Sequence, residues 1–76
     1  MRELVELMVR SMVDHPEQAH VNEVAGEGIV VYEVSVAEED IGKVIGKGGR
    51  IANAMRTVVK AAATRADRRA TVEILS

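Results

Sequence analysis

Ile41-Gly42-Lys43-Val44-Ile45-Gly46-Lys47-Gly48-Gly49-Arg50-Ile51 is the stretch on which the reading of this chain turns. A short apolar run ends at Ile45, three glycines crowd into the next four residues, and a second apolar pattern starts at Ile51. Glycines let a backbone approach a ligand closely, and Lys47 and Arg50 beside them suit an anion. Ahead of the loop, Ile41, Val44 and Ile45 stand at i, i+3 and i+4, and Glu38-Glu39-Asp40 precede them, where a helix start favours negative charge. The spacing predicts a short helix over about 37–45 that Gly46 stops. After the loop, Ile51, Met55, Val58, Val59, Ala62 and Ala66 keep an apolar stripe while Arg50, Asn53, Thr57, Lys60 and Thr64 keep a polar one. That pattern predicts a helix running to about residue 65, with the glycine loop at the surface where the two helices meet.

The flanking segments supply the rest of the domain. Leu4, Val5, Met8, Val9, Met12 and Val13 recur at helical spacing, so a helix is expected over about 2–13, closed by Asp14-His15-Pro16. A strand candidate at about 19–24, the turn Gly26-Glu27-Gly28 and the β-branched run Ile29-Val30-Val31-Tyr32-Glu33-Val34-Ser35-Val36 make a hairpin over about 19–36. Thr71-Val72-Glu73-Ile74-Leu75 alternates as a last strand over about 70–75. The expected order is helix, strand, strand, helix, helix, strand, one domain over residues 1–76. Its architecture is α+β in two layers: a three-stranded sheet covered on one face by three helices, showing Glu33, Ser35, Thr71 and Glu73 to water on the other.

Charge is segregated along this order. The net charge is only -2. Residues 1–40 nevertheless carry ten acids against Arg2 and Arg10, a balance of -8. Residues 41–69 carry eight basic residues against the single acid Asp67, a balance of +7. Such segregation marks a basic face on an acidic body, and the glycine loop lies inside the basic segment. The N-terminus of the following helix adds unpaired backbone N–H groups, so the loop makes a place for a phosphate.

Several function classes fall away. With 76 residues there is little room for a buried substrate cavity, and with no cysteine there is neither a disulfide nor a thiolate metal site. No run approaches the roughly 20 apolar residues of a membrane span, and Glu3, Glu6 and Arg10 interrupt any signal-like start, so a cytoplasmic location is expected. His15 and His20 are five apart rather than at i, i+4, and Ser11 and Ser35 have no identifiable His–acid pair. No enzyme, metal or cofactor is expected. The phosphate loop of nucleotide hydrolases fails on spacing and on its missing Ser or Thr, and the dinucleotide fingerprint lacks its third glycine. Folds that stack bases on exposed aromatics are disfavoured too, since Tyr32 is the only aromatic residue and fits the hairpin strand.

The stretch from Ile41 to Ile51 resembles the Ile-Gly-x-x-Gly-x-x-Ile signature of K-homology (KH) RNA-binding domains, with Ile51 arriving one residue early. The element order, αββααβ, resembles the type II form of that domain over nearly the whole chain. With nothing left over, the chain is similar to the small stand-alone bacterial KH proteins of the KhpA type. The resemblance implies a groove for about four nucleotides of single-stranded RNA. In it Ile41, Val44, Ile45 and Ala54 would floor the bases, with Ile51 and Asn53 beside them and Ile74 at the strand edge or in the core. Gly46, Lys47, Gly48 and Gly49 would hug the backbone, Lys47 and Arg50 would neutralise phosphates, Lys43 would be a further RNA-binding residue, and Arg65, Arg68 and Arg69 would line a far rim. Single-stranded DNA stays open as a ligand beside RNA. The resemblance further implies self-association or pairing with a larger Jag-type KH protein, and an RNA chaperone or post-transcriptional role linked to cell envelope and cell length. The residues themselves show no such role. A protein-interaction module that kept the fold and lost RNA affinity is the other reading. Helix 2–13, more apolar than a covering helix requires, is either fully buried on the sheet or partly turned to a partner.

Overall fold

A computed structural model of the chain describes residues 1–75. Helix α1 spans Arg2–Met12, strands β1 and β2 span His20–Gly26 and Ile29–Ser35, helices α2 and α3 span Ile41–Ile45 and Arg50–Arg65, and strand β3 spans Ala70–Ile74. Short 3-10 turns at Pro16–Gln18, Glu38–Asp40 and Lys47–Gly49 link them. The order αββααβ is the one the sequence leads to. Gly26 pairs with Ile29, which narrows the hairpin turn to Glu27-Gly28.

The sheet runs β1-β2-β3, with β2 antiparallel to β1 and parallel to β3. A parallel pair needs a crossover between its strands, and the α2–loop–α3 unit is that crossover. It therefore has to lie on one face of the sheet. Alternation along β2 turns Tyr32 and Val34 inward to this layer and Ser35 outward, while Glu33 faces its register partner Glu73 on the open side. α1 contributes Val5 and Val9, one turn apart and both fully buried. The core they enter holds Val21, Tyr32, Val34, Val44, Met55, Val59 and Val72. Small β-branched side chains dominate, so the layers approach closely and each fully buried valine stabilises the fold by about 1.5–3 kcal/mol. On its outer side α1 carries an i, i+4 network, with Glu6 paired to Arg2 at 3.3 Å and to Arg10 at 3.0 Å. Among the described residues no helix is long and apolar enough to cross a membrane.

Candidate nucleic-acid interface

The glycine loop owes its shape to backbone angles that side chains resist. Gly46 (φ 76°, ψ 170°) breaks α2, and its N–H is donated to the Gly42 carbonyl at 2.9 Å. Gly48 and Gly49 follow in the left-handed region, with φ 65° and 79°. The Gly49 N–H closes the turn on the Gly46 carbonyl at 3.1 Å. A β-carbon on Gly48 would meet nothing within 4 Å, so this backbone lies open to a ligand. The N–H groups of Lys47 and Gly48 open a helical segment and have no intrahelical acceptor. Arg50, the first residue of α3, stands at the positive end of the helix dipole, where a cation is locally unfavourable, and no acid shares that first turn.

Around the loop the expected site residues separate into groups. Ile41 and Ile45 stay half-buried on α2, on the side opposite Lys43. Val44 is 0 % exposed and belongs to the core rather than to any surface floor. Ile51 and Ala54 line an apolar groove between α1 and α3 with Met8, Met12, Met55 and Val58. Ala52, where the motif pattern expects its last apolar residue, is buried. Asn53 faces out from α3 and accepts from Arg56 Nη1 at 2.9 Å, while Arg56 Nε donates to the Val72 carbonyl at 2.9 Å. Rungs from the Val30 N–H to Arg69 O and from the Leu75 N–H to Val34 O mean that alternate β3 residues bond to β2. Val72 therefore turns its polar groups to the free edge of β3, and Arg56 bridges α3 to that edge. Arg56 is one of the eight basic residues of the 41–69 segment and stands outside the expected site. Its spacing of three from Asn53 was the available signal. Ile74 is half-buried against the core.

Lys43 points elsewhere. Its ammonium is paired with Asp14 and lies 3.3 Å from Asp40 Oδ1. Asp40, read from sequence as one of three helix-start acids, is 0 % exposed and is the one buried charged residue among those described. Its two carboxylate oxygens accept the backbone N–H groups of Asp14 at 3.1 Å and His15 at 3.0 Å. Desolvation pushes this carboxyl up, but those two N–H groups and Lys43 outweigh it and hold the group below the usual range. Lys43 is held above its usual range, first by its hydrogen bond with Asp14 and then, against desolvation, by Asp40. The α1–β1 connection is thus pinned to the start of α2, five residues ahead of the loop. Glu38 and Glu39 remain exposed.

Arg65, Arg68 and Arg69 lie at the other end of α3. The rise over its 16 residues puts that end about 22 Å from Arg50. Arg68 and Arg69 gather there with Gly28 of the hairpin turn, Thr64 and Asp67.

A family model described as the KhpA/KhpB KH domain matches residues 2–74. The chain belongs to that family. The αββααβ order and the mixed three-stranded sheet are accordingly those of a type II KH fold. The chain is 57% identical to the RNA-binding protein KhpA of Clostridium perfringens over 75 residues, covering 99% of this chain and 100% of that one. It is 52% identical to RNA-binding protein KhpA of Clostridium acetobutylicum with the same coverage. It is 41% identical to that of Chlamydia muridarum, covering 99% of this chain and 96% of that one. No solved structure gives a significant match.

Proposed function

We propose that this chain is a non-enzymatic binder of single-stranded RNA that clamps about four nucleotides at its Gly46-Lys47-Gly48-Gly49 loop. The observation that carries the reading is the loop itself: an open left-handed backbone at Gly48, flanked by Lys47 and Arg50. Relatives that match along nearly their whole length are named RNA-binding proteins, which supports it. In this reading the loop backbone meets the sugar-phosphate chain, Lys47 and Arg50 neutralise phosphates, Ile41 and Ile45 contact bases, and Asn53 and Arg56 stand at the β3 edge. A shallow site without aromatic platforms binds weakly and with little sequence preference. That behaviour suits an RNA chaperone or post-transcriptional regulator acting with a partner KH protein, whose second site raises affinity through effective concentration. The test is a Lys47→Asp/Gly48→Asp double variant, checked for folding by thermal melt and titrated with single-stranded RNA across a salt series. Unchanged RNA binding by a folded variant would mean the loop is not the clamp.

One observation favours a second activity, protein pairing. Val58, 45 % exposed on α3, lines the apolar groove with Met8, Met12, Ile51, Ala54 and Met55. Flexible methionines suit such a contact. A second KH protein, a further copy or a larger relative, is the occupant this reading assigns. Val58→Lys, at an exposed lining position, should leave the fold stable and abolish self-association in sedimentation equilibrium. A stable variant that associates as before removes the groove from consideration.

A further inference from the structure

The ten basic side chains divide in two. Arg2 and Arg10 share Glu6, and Lys43 is held by Asp14 and Asp40. The other seven, all from Lys47 onward, form no ion pair among the described residues. Arg56 spends its guanidinium on Val72 and Asn53; Lys47, Arg50, Lys60, Arg65, Arg68 and Arg69 are all exposed. Surface helices usually answer their cations with acids one turn away, as Glu6 does on α1. Helix α3 contains no acid in 16 residues. Arg50, Asn53, Thr57, Lys60 and Thr64 recur at intervals of three and four, all exposed, along one edge of the helix.

The stripe does not end with the helix. The Arg68 N–H is donated to the Ala63 carbonyl at 2.8 Å and the Asp67 N–H to the Thr64 carbonyl at 3.0 Å, a Schellman closure with Asp67 in the left-handed position at φ 58°. This closure folds the chain back on the helix end and sets Arg68 and Arg69 beside the hairpin turn. The result is a basic track, with no ion pair among the described residues, from the glycine loop to the far end of α3, about 22 Å long. At the roughly 3.4 Å per phosphate of a stacked strand, that length spans on the order of six phosphates. The clamp uses only its first turn.

We propose that the edge of α3 that carries Arg50 and Lys60, continued past Thr64 by Arg68 and Arg69, is a second phosphate-binding surface that carries single-stranded RNA onward from the loop. The inference rests on the clamp reading and extends its footprint beyond four nucleotides. Arg68 and Arg69, which gather beside Thr64, then act as this continuation instead of as the rim of the same groove, while Arg65 projects from another face of the helix. Asp67, the one acid on the track, works against it.

Length dependence tests the proposal. Unstructured RNAs of four and of about twelve nucleotides are titrated by NMR across a salt series against the wild type, Lys60→Gln/Arg68→Gln/Arg69→Gln, and Lys47→Asp/Gly48→Asp. For the wild type, the longer RNA should bind at least tenfold tighter at low salt after correction for the number of registers, with a log–log slope steeper by about 2. The triple variant should lose that increment and keep its binding to four nucleotides. Asp67→Asn, which retains a residue tolerant of the left-handed angle, should tighten the longer RNA alone. A wild type whose affinity rises with length only by the register factor overturns the proposal, as does a triple variant that weakens both lengths equally. The loop variant reads the clamp separately: if it still binds four nucleotides, the clamp reading fails, whatever the triple variant does.

Discussion

A β-carbon on Gly46 would stand 2.6 Å from Ile51 Cγ1 and 2.9 Å from the Ile51 backbone nitrogen. The first turn of α3 thus rests directly on the residue that ends α2. Gly46 also holds a φ of 76° with ψ 170°, a region essentially reserved for glycine. Gly48, two residues on, has open space around it. One glycine is needed for folding and the other leaves room for a ligand.

Gly46→Ala should therefore cost about 2 to 5 kcal/mol, from strain and from contact with backbone that cannot move aside. Gly48→Ala should cost only about 1 to 2 kcal/mol, the left-handed penalty alone, while weakening RNA binding of the folded protein. Urea melts separate the two, and equal losses of stability would refute the distinction.

Asp40→Asn should lower the melting temperature near neutral pH, because the amide's NH2 would face a backbone N–H that now meets a carboxylate oxygen. The native carboxyl is held below its ordinary value of 3.8, so the unfolded chain takes up the proton more readily. Its contribution to stability is complete above that value and is lost as pH falls through and below it. Melts from neutral to acid pH should show the wild type and the variant converging in acid. Parallel curves would exclude this role.

Val44→Ala should destabilise by about 2 to 3 kcal/mol, for two lost methyl groups and the cavity they leave. Its position in the core predicts unchanged RNA affinity per folded molecule. Ile45→Ala, on the half-buried side of the same helix, should reduce affinity with a smaller loss of stability. Binding titrations normalised to the folded fraction decide between a core and a contact role for each.

Arg56→Lys should lose about 1 kcal/mol and leave the β3 edge looser, since a single ammonium cannot reproduce the two guanidinium donors that meet Val72 and Asn53. Faster amide exchange along β3 would register the change. Unaltered exchange would mean the bridge holds nothing.

The loop, its two helices and the element order were legible because each is written in neighbouring residues. Gly46 to Gly49 needs only its own backbone angles, and the stripes of α3 need only a period of 3.6. Asp40 does stand at a helix start, as its sequence position implies, but its burial was not legible, for the opposite reason. As the third of three acids before a helix it looks like Glu38 and Glu39, and nothing local says that it alone turns inward to backbone N–H groups 25 and 26 residues earlier in the chain. Val44 and Ile45 are likewise equivalent in the pattern until packing buries one fully.

Chain order thus carried the KH fold, the glycine loop and the basic segment, all products of local angles, periodicity and composition. Which cations stay free was settled only by folding. Lys43 and Lys47 are near neighbours in sequence, yet one meets Asp14 from 29 residues away and the other meets no acid among the described residues. Ion pairs and hydrogen bonds act over a few ångströms, and only the packed α1–β1 connection brings its carboxylates that near to α2.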